Sequence, residues 1–216
     1  SCTVYGEPDK LPVAENAPIK KASSPYGNTK QICEEILQDA IATMPGKGVI
    51  SLRYFNPIGA HESALIGELP IGIPGNLVPF ITQTAAGIRE CLSVYGDDYN
   101  TPDGSAIRDY INVVDLAKAH VAAINRLLKQ EQKSDFEVFN LGTGRGLSVF
   151  EIIKAFELST KQSLSYKVVG RREGDIEKVY ADTSFPNSEL GWKAEKGIEE
   201  TLLSAWKWEE KIRNIK

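Results

Sequence analysis

Tyr26 and Lys30 stand four positions apart in Tyr26-Gly-Asn-Thr-Lys30, just after Ser23-Ser24-Pro25. A hydroxyl pair followed by proline predicts a helix start, because serine caps and proline suits the first turn. Residues at i and i+4 share a helix face, so the phenol and the ammonium are expected side by side. A cation held beside a phenol favours the phenolate over the phenol, whose ordinary pKa is about 10. Such a tyrosine can take or give a proton near neutrality. Tyr-x-x-x-Lys is a loose pattern, however, and a packed aromatic next to a solvated surface charge has the same spacing.

The elements around the pair must position it. Residues 1–5 read as the tail of a buried strand, ended by Gly6-Glu7-Pro8. The helix should run to about Thr43, with Tyr26, Lys30, Cys33, Leu37 and Ile41 along one stripe that Ile36 and Ala40 widen. Gly46-Lys47-Gly48 then turns the chain into a mostly apolar strand from Val49 to Phe55. Strand, crossover helix and strand make a βαβ unit and predict a parallel sheet. Beyond Pro57 a long glycine- and proline-rich loop leads to an expected helix over 76–87 and a strand over 92–95. A strand over 108–113 follows, then a helix capped by Asp115 and a strand over 136–141. Ser148 and Glu151 have the capping-box spacing of another helix; a strand over 164–169 and a closing helix from Ile198 end the pattern.

With 216 residues, 42% hydrophobic and 25% charged, the chain suits one large or two small globular domains. A net charge of -4 gives no basic field for nucleic acid or an anionic membrane surface. Cys2, Cys33 and Cys91 are odd in number and lack metal spacing, which fits a reducing, cytoplasmic setting. Two histidines make a zinc site improbable, and no metal site is expected. His120 falls on an alanine-rich helix face and reads as packed, and Trp206 and Trp208 read as core. The chain opens without methionine, so it is expected to be a piece of a longer protein.

Gly142-Thr-Gly144-Arg-Gly146 lies between a strand and a helix, but Leu147 stands where the dinucleotide fingerprint needs its third glycine. It reads as a tight turn. Arg108 and the pair Arg171-Arg172 offer guanidinium forks suited to a diphosphate, with surface pairing to Asp109 and Glu173 as the plainer reading.

Taken together, Ser1-Cys-Thr-Val-Tyr-Gly6, Tyr26-x-x-x-Lys30, Arg53-Tyr-Phe-Asn-Pro57, Gly72-Ile-Pro-Gly-Asn-Leu77, Ile107-Arg-Asp-Tyr-Ile111, Asn140-Leu-Gly142 and Arg171-Arg-Glu-Gly-Asp175 resemble the UDP-glucose 4-epimerases. These form a branch of the extended short-chain dehydrogenase/reductase family, and the resemblance runs through nearly the whole chain. It implies an α/β fold: the remainder of a Rossmann-like parallel sheet domain plus a smaller α/β substrate-binding domain. Residues 1–56 would close the NAD-binding domain. Residues 57–216 would mainly bind UDP-sugar, with a segment of about 108–141 returning to the first domain.

The resemblance further implies NAD as cofactor, a UDP-sugar substrate and a homodimer in the full-length enzyme. Tyr26 would be the acid/base, Lys30 its partner on the nicotinamide ribose, and Ser1 the hydrogen-bond donor to the sugar hydroxyl. Tyr54 would lie at the nicotinamide, with Phe55 and Asn56 at the sugar nucleotide. Asn76 and Leu77 would meet the diphosphate region and Val94-Tyr95 the uracil. Arg108 and Arg172 would hold the diphosphate, Asp175 the uridine ribose, and Val179 would leave room for a 2-acetamido group. Related dehydratases and decarboxylases carry a carboxylate just after the catalytic hydroxyl, whereas Cys2 and Thr3 follow Ser1. The family's phosphate loop is missing from the chain, so the isolated piece is expected to be inactive, and a non-catalytic UDP-sugar-binding fragment or another nucleotide-sugar member of the family is the alternative.

Overall fold

In the computed structural model, which describes residues 1–214, Ser24 adopts an extended backbone and its hydroxyl accepts a hydrogen bond from the Gly27 amide. With Pro25 in the first turn this starts α1 (Pro25–Ala42) as the sequence predicts. β1 (Val49–Tyr54) follows and lies parallel to β5 (Phe136–Leu141), with Arg53 opposite Asn140. β2 (Asn56–Ile58) runs parallel to β4 (Ile107–Asn112), and β4 also pairs antiparallel with β6 (Gly146–Ser148) and parallel with β8 (Lys178–Val179). A third, two-stranded parallel sheet joins β3 (Leu92–Tyr95) to β7 (Tyr166–Val169). The fold is mixed α/β with parallel pairing.

The main apolar core forms where α2 (Leu77–Ala85), α4 (Val149–Thr160) and α5 (Ile198–Arg213) meet β3 and β4. Ile152, Phe156 and Leu202 are fully buried there, and Trp206 meets Phe156 edge-on. The capping box at the start of α4 is complete: the Ser148 hydroxyl accepts from the Glu151 amide, and the Glu151 carboxylate accepts from the Ser148 amide. A second core packs α3 (Val113–Leu128) on Phe139 and Leu141 of β5. A third, smaller one gathers Val4, Tyr5, Val13, Phe55, Val179 and Ala181.

Several expectations need correction. Residues 2–5 form a 3₁₀ turn, not a strand; Ser1 caps it, the Gly6 amide closes it onto the Thr3 carbonyl, and β1 finds its partner in β5 instead. The expected stripe of α1 is largely exposed: Cys33, Ile36 and Leu37 face out, while Gly27, Glu34 and Ile41 are the buried residues. The inward face carries Glu34, which is paired with Arg53, between Gly27 and Ile41. Asn112, not Asp115, caps α3, through its side-chain oxygen and the Val114 amide. Asp115 is buried in the first turn and accepts from the amides of Glu195 and Lys196. His120 is exposed on α3, with Nδ1 by the Leu116 carbonyl and its ring tilted against Tyr54.

The turn over 142–146 is tight, and its reason is Asp109. This buried carboxylate accepts from the Thr143 amide at 2.8 Å, the Thr143 hydroxyl at 2.7 Å and the amides of Gly144 and Ala181 at 3.1 Å. A side chain at Gly142 would meet Asp109 Oδ2 at 2.4 Å, so only glycine fits. In the long loop, Gly67 lies against the ring of Trp208, whose Nε1 donates to the Glu68 carbonyl at 2.9 Å.

Candidate active site

α1 lies against the 3₁₀ turn because Gly27 has no side chain to hold them apart: a Cβ there would come within 3.2 Å of the Thr3 carbonyl. Gln31, one turn further on, ties the two together by donating to the carbonyls of Val4 at 2.8 Å and Lys20 at 2.6 Å. Sequence reasoning passed over Gln31; its position on the face of Gly27 was the available signal.

This docking leaves Tyr26 at the first turn of α1, 55% exposed, with the Lys30 ammonium 5.2 Å from its ring centroid. Among the described residues neither the phenol oxygen nor the ammonium takes an internal hydrogen bond or ion pair. Ser1 is half-buried, and its hydroxyl lies 3.0 Å from that of Thr3. Between them, Cys2 is buried enough to push its thiol up to about 11, so it is uncharged at neutral pH.

Tyr54 ends β1 half-buried, and the buried Phe55 follows it. Asn56 opens β2 opposite Tyr110, whose phenol burial pushes up to about 12. Phe55 shares the small apolar cluster with Val4, Tyr5 and Val179, which joins the Ser1 segment to β8. Val179 in turn pairs with Arg108 across β4 and β8. Arg108 donates to the Ile107 carbonyl at 2.8 Å and reaches Asp175 at 3.8 Å, not Asp109. Arg172 lies over the ring of Tyr95, 4.5 Å from its centroid, at the exposed end of β3 where Val94 is buried. Its neighbour Arg171 is held by Asp98 at 2.7 Å and stacks on Tyr99 at 4.1 Å.

Asn76 and Leu77 stand apart at the start of α2. Asn76 occupies the N-cap position without capping, and its amide donates to Glu68 at 2.8 Å. An open groove of about 490 Å³, lined by Asp103, Phe150, Ile153, Lys154, Glu157 and Tyr166, contains none of these candidates. Among the described residues no group of three or more His, Cys, Asp or Glu side chains is arranged to hold a metal ion.

A family model described as GDP-mannose 4,6 dehydratase matches residues 1–204. A UDP-glucose 4-epimerase of Dictyostelium discoideum is 49% identical over 209 residues, covering 97% of this chain and 60% of that protein. One of Drosophila melanogaster is 48% identical over 214 residues, covering 99% of this chain and 61% of its own. The crystal structure of UDP-glucose-4-epimerase from Stenotrophomonas maltophila with bound NAD and formylated UDP-arabinopyranose has a TM-score of 0.94 at 47% identity. It covers 100% of this chain, which spans 63% of it. The chain thus spans about 60% of the length of these relatives.

Proposed function

Since the chain belongs to the GDP-mannose 4,6 dehydratase family, we propose that it is part of an NAD-dependent UDP-glucose 4-epimerase interconverting UDP-galactose and UDP-glucose. The observation that carries this reading is the Tyr26–Lys30 pair, set beside the Ser1 segment and half open, with neither polar head taking an internal hydrogen bond or ion pair among the described residues. NAD, held in part by Lys30 and Tyr54, would supply reversible hydride exchange at C4 of the hexose. The residues of this chain handle the proton. Tyr26 takes it from the 4-hydroxyl as the hydride leaves and gives it back when the ketone is reduced. The Lys30 ammonium, 5.2 Å from the Tyr26 ring centroid, would stabilise the negative charge that develops on the phenolic oxygen, and with Tyr54 it would hold the nicotinamide ribose. The Ser1 hydroxyl holds the sugar oxygen in line.

Arg108 and Arg172 supply guanidinium forks for the diphosphate, and Asp175 an acceptor for the ribose hydroxyls. Phe55 and Asn56 would face the sugar nucleotide, Asn76 and Leu77 its diphosphate region, and the backbone around Val94-Tyr95 the uracil. Residues 1–56 act with the cofactor side and 57–216 mainly with the substrate side. The exposed apolar face of α1, with Ile32, Ile36 and Leu37, suits a homodimer contact. Free cysteines suit the cytoplasm, and among the described residues no helix is long and apolar enough to cross a membrane.

Dehydration, which the family's name suggests, needs a base next to the catalytic hydroxyl. Cys2 is held as a neutral thiol and Thr3 is spent on Ser1, so epimerisation is favoured. In the full gene product, Tyr26→Phe should lower kcat for UDP-galactose by roughly 10²- to 10⁴-fold with little change in KM. Retention of most activity would sink the assignment.

A further inference from the structure

Beneath the reacting groups lies a cluster of buried charge that the steps above leave unused. Glu34 is one turn beyond Lys30 on α1, and with Arg53 it is almost sealed, the two side chains keeping 9% and 4% of their exposure. Arg53 Nε donates to Glu34 Oε1 at 2.9 Å and Nη2 to Oε2 at 2.5 Å. The Ser51 hydroxyl adds a third bond to Oε1 at 2.7 Å. On its other side the Arg53 guanidinium covers the Tyr5 ring at 4.8 Å and donates to the Glu15 carbonyl at 3.3 Å. Tyr5 passes the connection on, its hydroxyl donating to Asn140 Oδ1 at 2.7 Å. Asn140 in turn donates to the Val13 carbonyl at 2.9 Å through its side chain and to the Glu15 carboxylate at 2.7 Å through its amide.

An unbroken series of directional contacts therefore links the helix of Tyr26 and Lys30 to the turn that follows Ser1. Arg53 is its centre, next in sequence to Tyr54 and on the strand opposite Asn140. A two-point fork between guanidinium and carboxylate fixes angle as well as distance. Such a buried pair adds little net stability, since well-packed apolar residues of similar volume do as well or better. Its value lies in geometry.

We infer that Glu34 and Arg53 are positioning residues that set the reach between the Ser1 hydroxyl and the Tyr26 phenol, a role that rests on the epimerase reading. In the full gene product, Glu34→Gln or Arg53→Lys should lower kcat roughly tenfold or more while KM for UDP-galactose stays within about twofold. Amide exchange over residues 24–30 should quicken, with that of α4 unchanged. The paired variant Glu34→Leu with Arg53→Met removes both charges and should keep the parent's melting temperature, yet kcat should stay low.

Wild-type kcat in the paired variant would reduce the pair to a folding role and overturn the inference, as would unchanged exchange over residues 24–30 in Glu34→Gln. Tyr26→Phe separates the two levels. If it is inactive while the pair variants turn over normally, the positioning role falls and the epimerase reading stands. If Tyr26→Phe remains active, the epimerase mechanism itself falls, and the exchange measurement alone judges the link.

Discussion

Around Phe156 the chain is held by apolar packing, and around Arg53 by directional polar bonds. In the first region Ile81, Ile152, Phe156 and Leu202 are fully buried in a large apolar cluster, and buried polar neighbours such as Thr82 and Glu209 are paired with each other. In the second, Arg53, Glu34 and Asn140 are buried while Ile32, Ile36 and Leu37 on the neighbouring helix are exposed. Apolar burial is strong but non-directional, so it secures a body without fixing any one angle. Charged forks hold one geometry and contribute little net stability. The Tyr26–Lys30 pair sits on the second kind of support.

This contrast can be broken by measurement. The largest effect should come from Phe156→Ala, which empties the main core and should destabilise the full gene product by about 3–5 kcal/mol in urea unfolding. Its kcat at saturating UDP-galactose should be nearly unchanged. A loss below about 1 kcal/mol would mean that the apolar region is not what holds the fold. Val179 tests the seam between the regions, where it packs with Val4, Tyr5 and Phe55. Val179→Tyr should reduce turnover of UDP-N-acetylgalactosamine about tenfold or more relative to UDP-galactose, through bulk beside C2. Equal loss for both sugars would show that the residue serves packing alone.

The smallest effect is a response to acid. Burial raises the Glu34 carboxyl, but hydrogen bonds from Arg53 and Ser51 outweigh it and hold it below its ordinary value of 4.5. A depressed carboxylate stabilises the fold fully above the unfolded value and loses that contribution as pH falls through the folded one. Amides over residues 24–30 should therefore gain exchange below about pH 4.5 before those in the middle of α4, where Ile152, Ile153 and Phe156 pack into the apolar core. Simultaneous opening of both would erase the distinction.

What the sequence disclosed follows the same division. The start of α1, the capping box of α4 and the adjacency of Tyr26 and Lys30 were legible because each depends on residues within four positions. The strand expected over residues 1–5 failed because apolar content cannot announce whether a neighbouring strand exists, and the segment was capped by Ser1 instead. The orientation of α1 was not legible because its inward face is marked by long-range matches, Glu34 to Arg53 nineteen positions away and Gln31 to the Val4 carbonyl, which an apolar stripe does not announce. Arg108 meeting Asp175, Asn140 meeting Tyr5 and the two-residue pairing of β8 are likewise long-range matches with no local signature.

Asp109 gives the glycine-rich turn a further meaning. Loops of this composition bind phosphate elsewhere because their amides are left pointing at an empty concavity. Here the concavity has a permanent tenant: the amides of Thr143 and Gly144 already face a carboxylate supplied by β4. The loop is saturated from within, so its glycines serve self-recognition between neighbouring strands. A phosphate would be turned away by this carboxylate, which leaves its capture to the guanidinium groups proposed for it, those of Arg108 and Arg172.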